Sequence, residues 1–128
     1  MRARGGEPAV NPFACPDSIY IATRPQDMRA GAKRLVSVIA SELGRDPADG
    51  SLYVFVSRDA RKCKMLAHGG NGWVLYYLTM IGGTFKWRGS PDGKPALEVR
   101  RNQLLWLLDG LSIEQPKAVP PSAARIVI

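Results

Sequence analysis

Nine basic side chains stand against five acidic ones between Arg24 and Lys64. Arg24, Arg29, Lys33, Arg34, Arg45, Arg58, Arg61, Lys62 and Lys64 meet only Asp27, Glu42, Asp46, Asp49 and Asp59. The stretch 58–64 is the densest part, with Arg58, Arg61, Lys62 and Lys64 against Asp59 alone. Crowded cations displace counterions from a polyanion and hold its phosphates. The whole chain carries +7 with a pI near 9.9, and nucleic acid is the commonest polyanion such a protein meets. The same residues also fit a solvated helix side followed by a polar turn, and at this level both readings stand.

Catalytic chemistry finds less to work with. His68 is the only histidine, so any Ser-His-Asp or Cys-His arrangement has to use it, and its place beside Gly69 and Gly70 reads as a strand end. Nucleophile-elbow, zincin and phosphate-loop patterns are missing. Cys15 and Cys63 lack CxxC spacing and with one histidine make no zinc set, so they read as two free thiols in a reducing compartment. Asp46 and Asp49 flank Pro47 in a turn, where aspartate is favoured for local backbone hydrogen bonds, and Asp27 suits the first turn of a helix. The sequence therefore predicts no catalytic residue, no metal and no cofactor. Tyr53, Phe55, Trp73, Tyr76, Tyr77, Phe85 and Trp87 have the face to stack bases, yet no Lys or Arg falls within 65–85, and core packing accounts for them better. Trp106, set among leucines, reads as core or as a protein-contact anchor.

The elements that carry these residues follow from periodicity. Ser18–Thr23 reads as a short strand. Pro25 suits the start of a helix whose apolar face is Met28, Ala32, Leu35, Val36, Ile39 and Leu43, with Arg29, Lys33, Arg34 and Ser37 on the polar side and Gly44 as its stop. Leu52–Val56 reads as a strand buried in mid-sheet. A basic connection leads to a strand over Cys63–His68. Glycine turns at 69–72 and 82–83 then give strands at 73–79 and 84–87, an antiparallel meander. A Gly/Pro-rich loop over 88–96 precedes a last helix from Arg100 to Asp109, stopped by Gly110. Its run Leu104 to Leu108 has no polar face, so it is deeply packed or partly an interface.

At 128 residues the chain has room for one domain with a core, and its 45% apolar and 23% charged residues are ordinary globular values. Residues 1–16 read as a flexible arm, 17–115 as the domain and 116–128 as a proline-rich tail. The basic N-terminus is followed by no apolar run, which argues against an export signal. The 21 residues from Met65 to Phe85 carry no formal charge, but five glycines interrupt them, and a buried hairpin explains them better than a lipid-spanning helix.

The order of signals is also that of a known family. Ile19 to Thr23, then Asp27-Met28-Arg29 with Gly31, then Asp46-Pro47 with Gly50, Leu52, Val54 and Phe55 begin it. Arg58, Arg61, Lys64 and Leu66, then Gly72, Leu75 and Tyr76, then Gly83, Phe85 and Trp87 continue it, and Leu104, Leu107, Leu108 and Gly110 close it. Over about residues 18–116 the chain resembles the TnpB accessory protein, the second reading frame of the insertion-sequence-66 class of bacterial transposons. It departs from that pattern at Ala67 to Gly70, where a Trp and an Asp are usual, and at Leu78-Thr79-Met80-Ile81, where a basic-basic-Leu-acidic run is usual. The resemblance implies a non-catalytic assistant to a separate transposase, with no catalytic residue to carry over.

Together these readings predict an α+β single domain, an antiparallel β-meander of about four to five strands packed with two main helices. Its expected role is a cytoplasmic, non-catalytic accessory protein of DNA transposition, with no membrane association. DNA is the expected partner, held by Arg29, Lys33, Arg34, Arg58, Arg61, Lys62 and Lys64. The alternative is a protein-interaction subunit that binds and stabilises the element-encoded transposase, with Trp106 as the contact.

Overall fold

A computed structural model describes residues 18–114 apart from 88, 90 and 91, so the expected arm and tail lie outside the described residues. Five strands, β1 (Ile19–Ala22), β2 (Leu52–Val56), β3 (Lys62–His68), β4 (Trp73–Thr79) and β5 (Ala96–Val99), form one sheet in the order β4-β3-β2-β1-β5. Two helices accompany it, α1 (Ala32–Ser41) and α2 (Arg101–Leu108). The α+β class expected from the sequence is the one observed.

Burial explains this order. Every residue of β2 is buried, because β2 lies centrally with helices over both faces. Its alternation sorts the core into two halves. Tyr53 and Phe55 join Leu66 of β3 under Leu35, Val38 and Ile39 of α1. Leu52, Val54 and Val56 join Ile19, Ile21, Cys63 and Met65 against Leu104 and Leu107 of α2, with Phe85 and Ile113 alongside. The leucine run of α2 is thus explained by packing.

Three elements differ from the periodicity reading. First, α1 begins at Ala32, not near Pro25. Asp27 accepts a hydrogen bond from the Arg29 N–H (2.9 Å), which makes a local turn, and Gly31 in extended backbone becomes the N-cap. At the other end Gly44 (φ 66) takes the left-handed conformation as expected, and the Arg45 N–H donates to the Ile39 carbonyl (3.1 Å). Second, β1 and β2 pair in parallel, with α1 as the crossover between them, while the β2–β3 and β3–β4 pairs form the antiparallel meander. Third, residues 84–87 are not a strand. Gly82 (φ 76) and Gly83 (φ 72) turn the chain off the end of β4, and Phe85 donates to the Ala60 carbonyl (2.7 Å) as it enters the α2-side core. The fifth strand is instead Ala96–Val99, antiparallel to β1 at the far edge, where Leu97 and Val99 meet that core.

Candidate nucleic-acid interface

The cations singled out in the sequence are placed by two tight turns and one helix end. In the turn before α1, the Arg29 guanidinium donates to both Asp27 oxygens, through Nη2 at 2.7 Å and Nε at 3.1 and 3.2 Å. Those bonds, with the Arg29 backbone N–H, hold the Asp27 carboxyl down at about 2. The Arg29 side chain is 91% exposed, but its charge is largely matched by its neighbour. The loop is docked on the sheet by the Gln26 N–H to the Val56 carbonyl, at 2.9 Å.

Between β2 and β3 the second turn is wound around Ser57. Its hydroxyl donates to Asp59 (2.6 Å) and accepts from the N–H groups of Arg61 (3.3 Å) and Lys62 (3.1 Å). The Ser57 hydroxyl and the Arg61 N–H lower the Asp59 carboxyl. With the backbone tied up this way, the side chains of Arg58 and Arg61 stand exposed and that of Lys62 half-buried. The two turns face each other across an open cleft of about 550 Å³ whose lining includes Asp27, Met28, Arg58, Asp59 and Lys62. The chain runs from this cleft through Arg29 into the first turn of α1, which exposes Lys33 and Arg34.

That helix end is unusual in its electrostatics. Gly31 offers no side-chain cap and the first turn holds no acid. Lys33 and Arg34 instead occupy the second and third helical positions, where a positive charge opposes the macrodipole. Free N–H groups and two cations therefore sum to a local site of positive potential. Among the described residues, Lys33, Arg34, Arg58, Arg61 and Lys62 have no ion pair.

Lys64 is placed differently. It is 7% exposed, its ammonium donates to the Ala30 carbonyl (2.7 Å), and it lies 4.8 Å from the centre of the Tyr77 ring. It pins the loop before α1 to β3. Arg45 is likewise held inside a structural group, 3.9 Å over the Tyr20 ring and bonded to Tyr53 (3.3 Å) and Asp49 (3.2 Å). Asp46 and Asp49 accept backbone hydrogen bonds from Ala48 (3.0 Å) and Ser51 (2.8 Å), the local role expected of them. His68 sits at the end of β3 with its ring edge-on to Trp73, 4.6 Å between centres. Cys63 is buried and free, and burial pushes its thiol up to about 12; Cys15 lies outside the described residues. Trp106 is 4% exposed, with its indole N–H buried and unpartnered, so it presents no outward anchor.

Most of the aromatics named from the sequence pack inside, Tyr53 and Phe55 completely, and Trp87 donates to the Ala22 carbonyl (3.2 Å). Trp73 (38%) and Tyr77 (54%) are exposed instead. Sequence spacing separates Tyr77 from the cations, but register does not, since Lys64 faces Tyr77, while Trp73 faces His68. Both alternating sets within 73–79 are apolar apart from Thr79, so no period marked the exposed aromatics, and the identity of the neighbouring strand could not be read. Among the described residues no three His, Cys, Asp or Glu side chains gather as a metal set, and no helix is long and apolar enough to cross a membrane.

Residues 17–118 match the family model described as "IS66 Orf2 like protein". The chain belongs to that family. Two relatives come from Sinorhizobium fredii (strain NBRC 101917 / NGR234), both uncharacterized. Protein y4hO is 31% identical over 99 residues, 77% of this chain and 84% of the relative. Protein y4jC is 29% identical over 102 residues, 80% of this chain and 86% of the relative. No solved structure matches. Membership of the IS66 Orf2-like family gives the chain an accessory role in IS66-class transposition. In the structure the motif Asp27-Met28-Arg29 with Gly31 is a turn and a helix cap.

Proposed function

We propose that this IS66 Orf2-like protein is a non-catalytic, cytoplasmic factor that binds DNA during transposition through Lys33, Arg34, Arg58, Arg61 and Lys62, with Arg29 at the edge of the surface. The observation that supports this most is the set of five cations without ion-pair partners among the described residues, two at the start of α1 and three on the β2–β3 turn, whose Arg58 and Lys62 line the cleft. Acids are present in the cleft, but Asp27 is occupied by Arg29, and Asp59 by Ser57 and a backbone N–H. Contacts of this kind go to phosphates and carry no base specificity.

The test is DNA binding by the full chain to element-end and random duplexes across a salt series. Affinity falls steeply with salt, and replacing Arg58, Arg61 and Lys62 together by Ala flattens the slope by about 0.9 for each cation removed from a phosphate, so by up to roughly 2.7, on both duplexes. An unchanged slope removes this turn from the interface. Salt-insensitive capture of the element's transposase, with no affinity for DNA, replaces the reading by the protein-interaction one.

A further inference from the structure

We infer that a second copy of this chain pairs with the outer edge of β4, joining two sheets into one. This goes beyond DNA binding and does not depend on it.

The backbone shows which groups are open to a partner. Met80 donates to the Arg61 carbonyl (2.7 Å) and Gly69 to the Gly72 carbonyl (2.8 Å), which sets the phase of the β3–β4 ladder. In an antiparallel ladder inward and outward residues alternate. Val74, Tyr76 and Leu78 therefore bond to β3, while Trp73, Leu75, Tyr77 and Thr79 turn N–H and C=O outward. Among the described residues no strand meets them, because β4 is the last strand of the sheet.

Sheet edges are ordinarily blunted by charge, proline or shortness. The opposite edge has all three: β5 is four residues long, follows Lys94 and Pro95, and exposes Glu98. β4 has none of them. It runs for seven residues without charge or proline, and exposes Trp73 and Tyr77. Ile81, just beyond, is 99% exposed.

The occupant follows from charge and symmetry. Two bodies of +7 repel wherever cations meet, but 65–85 brings no formal charge to the contact. Antiparallel pairing of a strand with itself is self-complementary under a two-fold axis. Centred on Tyr76, it sets Leu75 of one copy against Tyr77 of the other, an aromatic–aliphatic pair, and Trp73 against Thr79, an aromatic–β-branched pair of the kind that favours such ladders. That axis stands perpendicular to the sheet, so both α1 helices, with Lys33 and Arg34, lie on the same side of the continuous sheet. One strand pair is near the lower end of stable interfaces, about 1,200 Å² in total, so the dimer forms with rising concentration.

Amide hydrogen exchange on the unaltered full chain, at low and high concentration, tests this. Leu75 and Tyr77 amides slow about tenfold or more as concentration rises, while Tyr76 and Leu78 are protected throughout. Sedimentation equilibrium shows the mass climbing from 14.0 kDa toward twice that value. Tyr77→Pro keeps the β3–β4 ladder, because the N–H it removes points outward, and stays monomeric; Tyr77→Phe still dimerises. A mass of one chain at every concentration overturns the inference. So does a dimer in which the Leu75 and Tyr77 amides exchange as fast as in the monomer. If Tyr77→Pro fails to fold, the exchange data on the unaltered chain decide.

Discussion

Lys64 shows why a basic residue is not a binding residue until its environment is known. Sequence spacing groups it with Arg61 and Lys62, and on β3 it shares a face with Lys62. Yet while Lys62 lines the open cleft, Lys64, one step further along the strand, lies under the loop that leads into α1. Its 2.7 Å bond to the Ala30 carbonyl joins segments 34 residues apart. A hydrogen bond from a charged group contributes about 1.5–3 kcal/mol, so Lys64→Ala should lower stability by an amount of that order in denaturant unfolding. It should leave the salt slope of DNA binding by the folded protein unchanged. Cys63 makes the matching point for a nucleophile. Its thiol lies in the α2-side core and burial alone raises it from 9.0 to about 12, so the folded state favours the neutral form. The sign follows: the stability this gives is intact below pH 9 and is lost as pH rises toward 12. In a Cys15→Ser background, alkylation of Cys63 should be slow at neutral pH and should appear only with unfolding.

At the scale of elements, α1 has its charges the wrong way round for stability. An uncapped glycine start followed by Lys33 and Arg34 opposes the dipole, and acids there would favour it by roughly 0.3–1 kcal/mol each. Lys33→Glu with Arg34→Glu should therefore raise the melting temperature while lowering DNA affinity. A stable variant that binds as tightly as the parent would detach this helix end from the interface. At the start of α2, Arg100 and Arg101 likewise oppose the dipole, but one backbone donor is satisfied locally, since the Gln103 carboxamide accepts the N–H of Arg100 at 2.8 Å. Both helices were legible in the sequence, α1 from apolar spacing and its stop at Gly44, and α2 from the continuous apolar run Leu104–Leu108 and its stop at Gly110. The true start of α1 was not, because the Asp27 turn and Gly31 together override a pattern that runs on from Met28. Strand β5 was hidden for another reason: four residues beside a glycine- and proline-rich loop carry too little alternation to register.

For the whole molecule, the central sheet separates two apolar halves. Ile39 of α1 and Ile21 of β1 are both fully buried, on opposite faces. Each changed to Val should cost about 0.5–1.5 kcal/mol. Because the sheet stands between them, the double variant should equal the sum within about 0.3–0.5 kcal/mol. A larger departure would mean that the halves communicate through β2. On the surface, the loop before α1 and the β2–β3 turn meet around one open cleft.

By itself the sequence determined the class of fold, the family, the central strand at Leu52–Val56, the helix stops and the positive charge of the surface. These are matters of local period, turn chemistry and summed charge, which are properties of the chain before it folds. Tertiary structure alone decided that β1 lies parallel to β2 and that β5 closes the far edge. It likewise decided that Lys64 turns inward while Lys62 lines the cleft, and that Tyr77 stands beside Lys64, thirteen residues away in sequence. The reason is that strand order and pairing register are long-range choices, set by how two apolar faces are covered at once, and no window of neighbouring residues contains them.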